Sequence, residues 1–226
     1  PDETLRHFTR LAVPRLADWC AVDLLVGEGG GEDLSVERAA VTHVDPAKET
    51  LAWELARRAP VDVREDAQGV GHVLRTGEPE LIERVSDALL SSRARGPEEF
   101  QLLQELGLRS CLTVPLVVHG RMLGTLTLAQ TLSHRGFSTA DLPLAEEFAR
   151  RAALALDNAR MYRASQEAVG RAQHERYQAE QARAMLDTLL DAAPAGIALF
   201  DRLLCYVRVN RALRDIHPLP EVGSDN

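Results

Sequence analysis

The stretch GLRSCLTVPLVVHGRMLGTLTLAQ, Gly107–Gln130, holds two apolar runs separated by the polar triplet His119-Gly120-Arg121. Its spacing predicts strands over 109–118 and 122–130, joined as an antiparallel hairpin. Gly120 supplies the positive φ that such a tight turn needs. Alternation along the first strand groups Ser110, Leu112, Val114, Leu116 and Val118 on one face. Cys111, Thr113, Pro115 and Val117 fall on the other. Both sets are mostly apolar, so the sheet must be covered on both sides.

Working outward toward the N-terminus, Leu5, Phe8, Leu11 and Leu16 recur at near-helical spacing, which predicts an amphipathic helix over 4–18 bent or ended by Pro14. WCAVDLLVG reads as a strand, stopped by the glycine-rich GEGGGED, and LSVERAAVTHV as a second strand. The glycines lead from strand to strand, so they predict a hairpin turn. A dinucleotide loop would open a helix instead. Asp23 is the one carboxylate inside an apolar strand, so it lies at an edge, is paired, or faces a polar cavity. Asp45 as N-cap and Pro46 in the first turn predict a helix over 45–60. A short helix closed by Gly77, a strand-like ELIERV, a polar section from Ser86 and a helix around PEEFQLLQELG complete the approach to the hairpin.

On the C-terminal side, Phe137–Ala193 contains proline only at Pro143, near its start, and one glycine, Gly170. Ser138 or Thr139 can cap a helix there, far longer than the usual 8–20 residues. Phe148, Ala152, Ala155, Ala159 and Tyr162 follow a 4-3-4-3 spacing. Ala168, Ala172, Glu175, Ala179, Ala182, Leu186 and Leu189 resume it after a skip near Ser165. These seams predict a long helix that pairs with a second copy. Beyond Pro194, AGIALFDRLLCYVRVNRAL gives two short strand-like runs and a helix start.

Composition excludes several chemistries. A net charge of −8 with no clustered Lys and Arg is unsuited to nucleic acid. The seven histidines (His7, His43, His72, His119, His134, His174 and His217) stand singly, so no metal-ligand spacing appears. His174, on the long helix, reads as a solvated residue and not as a phosphoacceptor. No nucleotide-binding, nucleophile-elbow or zinc-protease motif occurs. Cys20, Cys111 and Cys205 lie far apart in apolar runs and read as buried thiols of a reducing cytoplasm. No run reaches the ~20 apolar residues of a membrane span. The chain begins at Pro1, as a piece of a longer protein would.

The order helix, LADWCAVDLLV, glycine turn, strand, helix, GVGHVLRTGEP, LGLRSCLTVPLVVHGRMLGTLTLA and FSTADLPLAEEFARRAALALDNARMY resembles a GAF domain over about residues 3–163. It resembles especially the GAF domains of actinobacterial multidomain signalling proteins. Residues 164–190 follow as a helical coiled-coil linker. The tail from 191 to 226 resembles the truncated start of a PAS domain, Asn210 matching its NxAL.

The resemblance implies an α+β fold, a central antiparallel sheet with N- and C-terminal helices packed on one face and a small-ligand pocket on the other. It also implies a cytoplasmic homodimer regulating a downstream effector, either a metal-dependent serine/threonine phosphatase or a histidine kinase. No bilin, haem or cyclic-nucleotide motif is intact, so no cofactor is named. Phe137 and Asp141 match part of the cyclic-nucleotide pattern, but Leu142 replaces its Glu and Ala129-Gln130 its Asn-Lys. Cys111 lacks the sequence context of a bilin attachment site. The expected pocket is bounded by strand residues and the 60–108 segment, with Asp23, Leu25, Cys111 and Thr113 as candidate lining. No catalytic constellation appears. Two readings stand at this point: a sensory module that binds a small molecule, and a ligand-free dimerisation and relay module.

Overall fold

The computed structural model describes residues 2–26, 35–133 and 135–216. The predicted glycine turn and the HPLPEVGSDN tail lie outside them, as do His134 and His217. The chain divides into two compact units, residues 1–162 and 163–226.

In the first unit, α1 (Asp2–Ala12) ends just before Val13-Pro14, where proline cannot donate to a continuing helix. β1 (Trp19–Val26) and β2 (Ser35–His43) pair antiparallel, with a bulge between Val22 and Asp23 that leaves Ala39 unmatched. α2 (Pro46–Arg58) starts as expected, the Asp45 side chain accepting from the Ala47 amide at 3.0 Å. α3 (Val70–Thr76) closes on Gly77 at φ 72°. β3 (Glu80–Ile82) is shorter than ELIERV suggested. α4 (Asp87–Arg93) is a helix where only a polar section was expected, nucleated by Ser86 accepting from the Leu89 amide. α5 (Pro97–Leu106), β4 (Ser110–Val118) and β5 (Arg121–Gln130) follow. The sheet order is β2-β1-β5-β4-β3, and every pairing is antiparallel.

Gly124 sits opposite Leu24 where β5 pairs with β1. A Cβ there would stand 2.1 Å from the Asp23 carbonyl oxygen, so only glycine allows this backbone approach. One face of the sheet carries Cys20, Val22, Leu24, Leu112, Val114, Leu116, Leu126 and Leu128. α1 and the start of α6 (Leu142–Ala192) cover it. Ala145, Ala149, Ala152 and Ala153 bring α6 close, and Leu156 fills the remaining depth at 0% exposure. The opposite face carries Trp19, Ala21, Val41, Cys111 and Ala129, covered by α2 and α5. Lys48 Nζ donates to the Leu106 carbonyl at 2.8 Å, tying those two helices together.

α6 is preceded by a single 3-10 turn whose Ser138–Asp141 capping box satisfies the first amides. Asp141, half of the partial cyclic-nucleotide match, therefore caps a helix and pairs with Arg135 at 2.6 Å.

The second unit holds the later turns of α6, β6 (Ala198–Phe200), β7 (Tyr206–Val209) and α7 (Arg211–Ile216). β6 and β7 form a hairpin whose turn is organised by Asp201 Oδ1, which accepts from the Leu203 and Cys205 amides. Asn210 is buried and joins three elements. Its Oδ1 accepts from the Ile197 and Leu213 amides, and its Nδ2 donates to the Leu190 and Ala195 carbonyls.

Candidate functional site

On the α2/α5 face these helices cover only part of the sheet, and beside them a cavity of about 630 Å³ remains. That is within the range of small-molecule sites, roughly 300–1,000 Å³. Its floor is polar. The β2 bulge sets Arg38 opposite Asp23. Arg38 Nε donates to Asp23 Oδ1 at 2.9 Å and Nη2 to Oδ2 at 3.1 Å, a bidentate pair. The third contact of the guanidinium is the Ala52 carbonyl of α2, at 3.0 Å from Nη1. Its plane also lies over Trp19, 5.7 Å from the ring centroid. Asp23 and Arg38 side chains are 2% and 10% exposed, so the pair is shielded from water on nearly every side.

Beside it, β4 and β5 place Thr113 directly opposite Thr127, with hydroxyls 3.3 Å apart. Cys111 sits next along β4. Burial, partly opposed by the Arg93 charge and aided by Glu80, pushes its thiol up to about 12. It is a neutral thiol and not a nucleophile. The walls are apolar, with Leu55, Ile82, Leu103 and Leu108 prominent.

The roof is the 59–69 segment. Arg75 Nη1 donates to the Val63 carbonyl at 2.8 Å and the Asp66 carbonyl at 3.2 Å. Arg95 pairs with the Asp66 carboxylate at 3.6 Å, and Arg93 donates to the Gln68 carbonyl at 3.4 Å. The Gly69 amide donates to Glu80. Gly69 has φ 76°, and a side chain there would also run into the Arg93 guanidinium.

Three of the four sequence candidates, Asp23, Cys111 and Thr113, line this cavity. Leu25 does not. Pairing of β1 with β5 stops at Leu24, so Leu25 sits half-buried past the covered part of the sheet. Trp19, Arg38 and Arg93 were not singled out from the sequence. A basic residue inside the strand run SVERAAV is the signal that could have found Arg38, as partner to the carboxylate in the neighbouring strand.

The helix seam divides. Ala152 is fully buried in the chain's own core, and Phe148 packs edge-to-face on Phe8 of α1 with ring centroids 5.7 Å apart. Both are engaged within the chain. Ala155 and Ala159 are half-buried, and Tyr162 is exposed.

The GAF family model matches residues 1–156. This chain is a GAF domain protein.

Among solved structures, a GAF domain/HD domain protein from Geobacter sulfurreducens shares the fold at TM-score 0.51 and 22% identity, over 71% of this chain and 94% of that one. The GAF-B domain of DevS from Mycobacterium smegmatis is similar at TM-score 0.49 and 20% identity, over 72% and 97% of the two chains. So is the GAF domain of a phosphoenolpyruvate-protein phosphotransferase from Coxiella burnetii, at 0.49 and 20%, over 72% and 86%. No curated protein matches the chain. No described helix is long and apolar enough to cross a membrane.

Proposed function

We propose that this GAF domain is a cytoplasmic sensory module. It binds a small molecule in the cavity beneath the 59–69 segment and passes the occupied state along α6 to an effector. The observation that carries this reading is the cavity itself, a space of about 630 Å³ with a built polar floor on a sheet whose other face is solid. A pocket of this kind is the default binding site of a fold. The effector is a metal-dependent serine/threonine phosphatase or a histidine kinase, and residues 191–226 open a PAS domain. Residues 164–190 act as a coiled-coil linker in a homodimer, since Leu186 and Leu189 of the heptad seam are more than half exposed in the single chain. A ligand shifts such a switch only by its differential affinity for two helix arrangements, tenfold being about 1.4 kcal/mol.

Native mass spectrometry of protein purified from its own host tests the binding step. A retained small molecule released on denaturation is expected. A homogeneous ligand-free mass favours the relay without a ligand. For the dimer, Leu186→Glu should shift sedimentation toward the monomer, and an unchanged dimer removes that seam.

A further inference from the structure

The floor of the cavity combines two properties that together select a ligand chemistry. The first is charge neutrality. Asp23 and Arg38 face each other bidentately at 2.9 and 3.1 Å, each neutralising the other. The mouth adds no basic ring, because Arg93 and Arg95 are matched by Glu65, Asp66 and Glu99.

The second is spare hydrogen-bonding capacity on both partners. A guanidinium has five N–H groups, and Arg38 directs three bonds to Asp23 and Ala52. Of the two facing threonine hydroxyls, one donates to the other and the second keeps a free O–H. Each Asp23 oxygen accepts once from Arg38 and keeps a second lone pair, so a carboxamide, offering a carbonyl to Arg38 and an N–H to Asp23, uses both partners.

An anion brought to Arg38 would be attracted by the guanidinium and repelled by the Asp23 carboxylate at almost the same distance. The two effects nearly cancel, and the anion's lost hydration is not recovered. A neutral acceptor loses far less hydration and satisfies the same donors. Resting on the reading of this cavity as a binding site, we propose that its ligand is an uncharged molecule. It has an apolar body between Leu55, Ile82, Leu103 and Leu108, and an amide-, ketone- or lactone-type carbonyl accepting from Arg38.

Isothermal titration of the full chain with 2-naphthamide, 2-naphthoate and 2-methylnaphthalene tests this. The amide is expected to bind at least about tenfold tighter than the carboxylate, about 1.4 kcal/mol. Asp23→Asn leaves Arg38 unneutralised, and should move that ratio about tenfold toward the carboxylate. Should that variant fail to fold, the uncharged double variant Asp23→Asn/Arg38→Gln should lose the advantage of the amide over 2-methylnaphthalene. A carboxylate that binds as tightly as the amide overturns the proposal. So does a ratio unmoved by Asp23→Asn, or an amide advantage that survives the double variant. Each of these leaves the cavity standing as a binding site. Binding by none of the three probes overturns both.

Discussion

The two faces of the sheet use the same strands to opposite ends. On the α1/α6 face, alternate residues of β1, β4 and β5 meet a row of alanines, and Leu5, Leu112, Leu116, Leu126 and Leu156 are all fully buried. On the other face a smaller apolar cluster packs on α2 and α5, and beside it the sheet meets the 59–69 segment across an open volume of about 630 Å³. One face is closed by apolar surface. The other is held by directed polar contacts: the Arg38 fork, the Lys48–Leu106 tie, and Arg75 and Arg95 on the roof. A solid face needs only shape and apolarity. A hollow one must fix its roof by bonds, because dispersion cannot act across a gap.

Mutations can break this contrast. The largest effect is expected from Arg38→Met, which leaves a carboxylate 2% exposed with no cation and should cost about 3–5 kcal/mol in urea unfolding. Asp23→Leu/Arg38→Met together should recover most of it, and a double variant as unstable as the single would show that the pair matters for more than charge. Leu156→Ala should cost about 2–5 kcal/mol because it opens a cavity in a filled core. Leu103→Ala, which only enlarges an existing cavity, should cost about 1 kcal/mol. Equal losses at the two leucines would deny that the faces differ. Overfilling reads the contrast in reverse. Ala149→Leu should destabilise by about 1–3 kcal/mol, whereas Ala56→Leu, pointing bulk into free space, should be nearly neutral and weaken 2-naphthamide binding.

The smallest effect is a pH dependence. His43, at the end of β2, is buried, and its Nδ1 accepts from the Asp45 amide at 2.7 Å while Nε2 meets the Thr131 hydroxyl at 2.9 Å. Burial and the nearby Lys48 charge lower its pKa, against the opposing Asp45 and Asp18 carboxylates. The folded state therefore binds that proton less readily than the unfolded chain. Its contribution is complete above the ordinary histidine pKa and is lost as pH falls below it. Urea midpoints should decline from pH 7.5 to pH 5.5, and His43→Gln should flatten that decline. An unaltered slope would place the titration elsewhere.

Much of the architecture was legible because it rests on local chemistry. Gly120 and Gly124, the Asp45 cap and the proline-poor run after Pro143 each act within a few residues. The alternation about Val114 predicted a two-sided sheet, and the structure fills one side and hollows the other. The three alternatives open for Asp23 close on two at once, since it is both paired and at a cavity. What could not be read was its partner. Arg38 lies across a glycine-rich connection of unknown register, and the bulge at Ala39 moves it by one position, which in a strand decides the face. α4 was missed for a different reason. Its seven residues carry little apolar periodicity, and only the Ser86 cap announces it. Ala152 shows the limit of heptad reading: its spacing fits a partner helix equally well inside one chain, and here its own sheet takes it.

Asn210 has a mechanical consequence. Its carboxamide bonds to the end of a long helix, to the segment leading into a hairpin and to the first turn of the next helix. Four bonds from one planar group leave no free swivel at that junction. It works as a rivet: one side chain fastens the helix end, the hairpin lead-in and the next helix to one another.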